Sequence, residues 1–234
     1  MKLLREHGRP LVVGHRGART SAPENSGAAL EAAVTAGADF VEFDVSPGLW
    51  IAHSPEERHA DALTLDQALE LLAPHGIGLH VDVKLPGYEA EVARALERHH
   101  VADRAYISSA WPASVRAFAR IAPRLERAIG YPRDRYGLSR IPVPRLAASA
   151  GAAAARAAMG VRVPVLVRRS HATALSIHHA FCSAAAVAAA HRLGVPVLVW
   201  TVNDPAEMIR FAELGVDGIV TDDPQIAMAT LTQP

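Results

Sequence analysis

Short apolar runs alternate with longer helix-patterned segments along nearly the whole chain, and this alternation constrains the fold more than any other property of the sequence. Leu11-Val12-Val13-Gly14 reads as a buried strand, and Asn25 to Ala36 carries helix formers at apolar spacing before the stop at Gly37. The unit recurs, with strands expected over Asp39 to Val45, Gly78 to Val83, Ala105 to Ser108, Arg127 to Gly130, Leu175 to His178, Pro196 to Trp200 and Gly218 to Thr221. Helices are expected over Leu65 to Ala73, Tyr88 to His99, Trp111 to Ile121, the alanine-rich Leu146 to Met159, Ser183 to Leu193 and Pro205 to Leu214. Strands that are apolar on both faces and joined by helices form parallel sheets. About eight of them in 234 residues predict a closed (β/α)8 barrel, a TIM barrel. An open doubly wound sheet is the alternative, but the first strand is not followed by a glycine-rich dinucleotide loop. No Pro-, Ser- or Gly-rich linker divides the chain, so residues 1–234 are expected to form one domain.

Composition narrows the class of partner. Lys plus Arg and Asp plus Glu both total 24, so no global field recruits nucleic acid or an anionic membrane, and any charge chemistry is local. The single cysteine, Cys182, excludes an internal disulfide, and MKLLREHGRP lacks the apolar core of a signal peptide. The apolar region from Ala184 to Trp200 is interrupted by His191 and Arg192, too short a stretch to span a bilayer. These features predict a cytoplasmic protein without stable membrane insertion; they do not encode an oligomeric state.

In a barrel of this kind, chemistry gathers at the C-terminal ends of the strands. The unusual polar residues stand at those ends: His15 and Arg16 after the first strand, Glu42 and Asp44 on the second, Asp82 and Lys84 on the third. Strand side chains alternate faces, so Glu42 and Asp44 share one face, as do His80, Asp82 and Lys84. Three converging carboxylates repel unless a cation joins them. All-oxygen donors without a thiolate favour a hard divalent ion, Ca²⁺ or Mg²⁺. Three acids, one divalent ion, Arg16 and Lys84 together leave a single positive charge, which a singly charged phosphodiester neutralises.

The segment "GHRGARTSAPENSGAALEAAVTAGADFVEFDV", an isolated His53, "HVDVK", "VPVLVWTVND" and "LGVDGIVTDDP", in this order, resemble the glycerophosphodiester phosphodiesterase family. These metal-dependent barrels hydrolyse glycerophosphodiesters to sn-glycerol 3-phosphate and an alcohol. The resemblance implies that His15 and His53 are the general acid/base pair, Arg16 and Lys84 the phosphate ligands, and Glu42, Asp44 and Asp82 the metal ligands. It also places Glu24 and Asn25 beside the site and Trp200 along the glycerol pocket. The implied chemistry uses the glycerol hydroxyl as nucleophile and passes through a cyclic phosphate that water opens. Histidine suits both proton transfers because its pKa of about 6.5 lies near neutrality.

The sequence departs from the family pattern in several places, among them the run SPGLWIAH, where Trp50 stands instead of the usual acidic-glycine turn. The usual His-Asp pair is His53-Ser54, with Asp61 the candidate to orient the ring; the third metal ligand is Asp82 where the family usually has glutamate; and the capping insertion is reduced to a short segment near residues 54–64. Two rival readings stand beside this one: phospholipase D-like cleavage of lysophospholipids, since related barrels use the same two-histidine site on membrane substrates, and a catalytically silent phosphate-binding barrel, which the lost aspartate and the shortened cap suggest.

Overall fold

Each apolar run forms a strand whose alternate side chains enter two different cores. The computed structural model describes Leu3, residues 8–133, Ala154 and residues 156–232. In chain order the elements are β1 (Leu11–Gly14), α1 (Gly27–Thr35), β2 (Phe40–Ser46), β3 (Trp50–Ile51), α2 (Leu65–Leu72), β4 (Gly78–Val83), α3 (Glu89–Arg98), β5 (Ala105–Ser109) and α4 (Pro112–Ile121). They continue with β6 (Glu126–Tyr131), α5 (Met159–Ser170), β7 (Ala174–His178), α6 (Ala184–His191), β8 (Val197–Trp200), α7 (Pro205–Leu214), β9 (Gly218–Thr221) and α8 (Pro224–Leu231).

Eight of the nine strands are parallel and close into a barrel through the β1–β2 and β1–β9 pairings, in the order β1-β2-β4-β5-β6-β7-β8-β9. The fold is therefore the predicted TIM barrel. The ninth, β3, returns antiparallel along β2 after a turn through Gly48, whose φ is 82°. Val41, Phe43 and Val45 of β2 join the core between strands and helices, while Phe40 enters the barrel interior with Leu11, Val13, Tyr106, Ala128, Ala174, Leu198 and Val220. Glu42 and Asp44 have the parity of Phe40, so they enter the barrel above its apolar floor. Gly78 makes room for that floor: a Cβ there would lie 2.4 Å from the Phe40 ring.

Besides the unexpected β3, two elements differ from expectation. The alanine-rich helix expected over Leu146 to Met159 falls mostly outside the described residues, and the helix that is described, α5, begins at Met159. Its Val-Arg alternation and internal Pro164 look extended in sequence, but the buried set Met159, Val163, Val167 and Ser170 follows helical spacing, with Val161 left 78% exposed. The C-terminal helix α8 was not expected. Asp223 caps it, and Pro224 occupies the first turn, where its missing N–H costs nothing. Among the described residues no helix is long and apolar enough to cross a membrane.

Candidate active site

The turn after β1 brings the first two strand ends together. The His15 N–H donates to the Thr221 carbonyl at 2.8 Å, seating the histidine over the seam between β1 and β9. Arg16 and Gly17 then take positive φ, 53° and 86°, and the chain doubles back over β2. Here the Arg16 N–H donates to the Glu42 carboxylate at 2.6 Å and the Gly17 N–H to the Glu42 carbonyl at 3.0 Å. Gly17 is required on two counts, since its φ is left-handed and a Cβ would lie 2.4 Å from the Ala29 carbonyl.

Asn25 locks the second strand. Its side-chain amide donates to Asp44 Oδ2 at 3.0 Å and its Oδ1 accepts from the Asp44 N–H at 3.1 Å. Glu24 pairs with Arg16 at 2.5 Å and Arg19 at 3.3 Å. Arg16 Nε lies 3.0 Å from Asp44. Lys84 bridges Asp44 and Asp82, an ion-paired centre that ties β2 to β4.

One oxygen from each of Glu42, Asp44 and Asp82 lies within 4.8 Å of the others. Burial and then the charge of Asp44 push the Glu42 carboxyl well above its usual range. Asp44 is equally buried, but Lys84, His53 and Arg16 outweigh the desolvation and hold it well below that range. Lys84 is raised because Asp44 and Asp82 overcome its burial. A buried acid held against another acid is an environment short of positive charge, and oxygen donors alone fit a hard divalent cation there.

Asp82 is supported from β5. The Ser108 hydroxyl donates to its Oδ1, and His80 Nε2 lies 2.8 Å from the same hydroxyl. His80 stacks on Tyr106 at 4.2 Å, and burial lowers its pKa to about 3, so the ring is neutral and its Nε2–H donates to Ser108. His80 is thus a buttress, and Ser108 is the hydroxyl that fixes the shorter acid.

The two histidines of the predicted pair are held differently. His15 Nδ1 lies 2.7 Å from Asp222 Oδ1, and Asp222 is in turn held by Asn203 Nδ2 at 2.7 Å. Burial opposes the Asp222 charge, but the bonds from His15 and Asn203 lower its pKa below the usual carboxylate value. His53 sits in the loop after β3 with 43% of its side chain exposed. Its Nδ1 is 3.2 Å from Asp44 Oδ2 and 2.9 Å from Arg16 Nη2. The carboxylate at His53 is therefore that of Asp44, not Asp61, which is exposed on the following loop.

His15, Arg16, Glu42, His53, Asp82 and Lys84 line one cavity of about 520 Å³ at the C-terminal mouth of the barrel. Trp200 lines the same cavity, held edge-on at 5.0 Å by His178. Asp44, Glu24 and Asn25 stand behind this wall and contact it. The sequence-predicted residues thus converge, and sequence reasoning missed Asp222, Asn203 and Ser108. The carboxylate pair in "VTDDP" at the end of the last strand was the available signal for Asp222.

The chain matches the family model described as Glycerophosphoryl diester phosphodiesterase family over residues 15–46 and 54–226. A glycerophosphodiester phosphodiesterase of Caldanaerobacter subterraneus subsp. tengcongensis is 25% identical, covering 92% of this chain and 95% of its own. Among solved structures, a glycerophosphodiester phosphodiesterase from Parabacteroides distasonis superposes with a TM-score of 0.72 at 22% identity, covering 94% of this chain and 96% of its own. An Oleispira antarctica phosphodiesterase in complex with the product sn-glycerol-3-phosphate superposes at 0.73 and 21% identity, covering 95% of this chain and 96% of its own. With the family model matched across most of its length, the chain belongs to the glycerophosphoryl diester phosphodiesterase family.

Proposed function

We propose that this protein hydrolyses glycerophosphodiesters to sn-glycerol 3-phosphate and an alcohol, with His15 and His53 as the proton-transferring pair. The observation that carries the reading is the convergence of both imidazoles, two cations and a carboxylate cluster on one cavity mouth. The relative with bound sn-glycerol-3-phosphate supports the substrate class.

His15 is the general base. With Nδ1–H donating to Asp222, its Nε2 lone pair is the one directed to proton abstraction. It takes the proton of the glycerol 2-hydroxyl, whose oxygen attacks phosphorus and forms a cyclic phosphodiester. The bond from phosphorus to the alcohol oxygen breaks, and His53 donates a proton to that oxygen. Water, deprotonated by a histidine, then adds to phosphorus and opens the ring at the 2-oxygen, which takes a proton, leaving glycerol 3-phosphate.

Arg16 and Lys84 bind the phosphoryl oxygens, the first as a fork and the second as a point charge. Trp200 packs against the glycerol carbons. Glu42, Asp44 and Asp82 would hold one divalent cation, Ca²⁺ or Mg²⁺, which supplies positive charge to the phosphoryl oxygens. Glu24 and Asn25 position Arg16 and Asp44. Residues 1–234 act as one domain in this reading, and the short segment near 54–64 leaves the mouth open beside His53.

The test is release of glycerol 3-phosphate from several glycerophosphodiesters with Ca²⁺, with Mg²⁺ and with EDTA. Cation-dependent release is expected, and no release from any of them under any condition sinks the proposal.

A further inference from the structure

The cavity has a second aromatic wall that the chemistry above does not use. Trp111 follows β5, and Arg133 follows β6; both line the mouth, and the Arg133 guanidinium lies over the Trp111 ring at 4.5 Å from its centroid. Among the described residues no carboxylate lies within ion-pair distance of Arg133. Leu85 and Pro132 complete this wall.

Its position decides which half of the substrate it meets. Around the barrel, β8 neighbours β9 and β9 neighbours β1, so Trp200 and the base His15 lie on one side of the mouth. His53 is anchored at Asp44 on β2, which pairs with β4, and β4, β5 and β6 follow in order on the other side. An attacking oxygen and a departing oxygen occupy opposite sides of phosphorus. Glycerol on the Trp200 side therefore sends the departing alcohol past His53 toward Trp111 and Arg133.

We infer that Trp111 and Arg133 form a subsite for the departing alcohol that selects headgroups bearing hydroxyl or anionic oxygens and disfavours quaternary ammonium. The inference rests on the proposed phosphodiesterase reading. An aromatic face is the usual seat for a quaternary ammonium, and here the chain's own guanidinium already covers it. A second cation brought to that place meets like charge, whereas the guanidinium edge offers N–H donors to oxygen. Glu56 lines the mouth from the His53 loop, and Arg133 is the cation on the Trp111 wall.

The experiment measures kcat/KM for glycerophosphoglycerol, glycerophosphoserine and glycerophosphocholine with the full chain and added Ca²⁺ or Mg²⁺. The wild type is expected to favour the first two over the third by about tenfold, the worth of one hydrogen bond to a charged group. Arg133→Ala brings that ratio toward one, and Arg133→Lys, which keeps the charge without the fork, falls between. A wild type that favours glycerophosphocholine, or a ratio unchanged in Arg133→Ala while turnover persists, overturns the subsite and leaves the phosphodiesterase reading standing. Absence of turnover with all three substrates overturns both.

Discussion

The two sides of the barrel mouth are built on opposite principles. On the side of β1, β2 and β4, Arg16 is paired with Glu24 and Asp44, Lys84 with Asp44 and Asp82, and His15 with Asp222. Across the barrel, β6 and β7 turn only Gly130 and Ser176 into the cavity, and the wall there runs from Trp111, Pro132 and Arg133 on one flank to Trp200 on the other. The first side trades flexibility for fixed geometry, since a buried charge is tolerable only where its partners do not move. The second offers space and shape. On the proposed mechanism, chemistry falls on the paired side and recognition of the substrate's arms on the open one.

His15→Ala tests the paired side most severely. It is expected to lower kcat by about 10² to 10⁴-fold, the range for losing a general base, while leaving the circular-dichroism spectrum that of a folded barrel. Retained turnover would remove His15 from the mechanism and the division with it.

Lys84→Met leaves Asp44 and Asp82 without the cation between them. Urea unfolding in EDTA should show a loss of about 3 kcal/mol, the scale for breaking a buried pair. Added Ca²⁺ or Mg²⁺ should recover part of it, because a ligand of the native state stabilises by mass action. If neither ion shifts the midpoint of wild type or variant, the carboxylate cluster is not a cation site.

A smaller effect is expected for Ser108→Ala, which strips a partner from both His80 and Asp82. Thermal unfolding should register about 1–3 kcal/mol, and Ser108→Thr, which keeps the hydroxyl, should recover most of it. Equal losses in both variants would mean that the hydroxyl contributes little.

The smallest effect belongs to the open side. Burial and the neighbouring His179 lower His178 to about 4, against about 6.5 in an unfolded chain. The unfolded chain therefore binds this proton first as pH falls. The contribution to stability is complete above about pH 6.5 and declines from there toward about pH 4. His178→Gln should shrink the difference between urea midpoints at pH 7 and pH 5; an unchanged difference would place the acid sensitivity elsewhere.

The barrel and its strand ends were legible because doubly apolar runs encode buried parallel strands directly, and because alternation puts Glu42 with Asp44 on one face. The supports were not. Asp222 lies 207 residues from His15, so only closure of the ring makes them neighbours. Ser108 reads as an ordinary strand residue until the β4–β5 register sets it opposite Asp82. Asp61 is close to His53 in sequence, but β3 folds back on β2, and that return brings His53 to Asp44 instead. Trp111 and Arg133 sit in the loops after β5 and β6, where no period governs spacing. Helix α5 was obscured by Val-Arg alternation and Pro164, which mimic an extended segment until the burial of every fourth residue is known.

The hydrogen bond between His15 and Asp222 also carries a consequence for synthesis. A nascent chain that has reached residue 204 already holds His15, His53, all three clustered carboxylates, Arg16, Lys84 and Trp200. It lacks β9 and the carboxylate that follows it, so the imidazole of His15 has neither the seam that seats it nor the acceptor that sets its tautomer. On the proposed mechanism the site is therefore completed late, when the last barrel strand closes against the first.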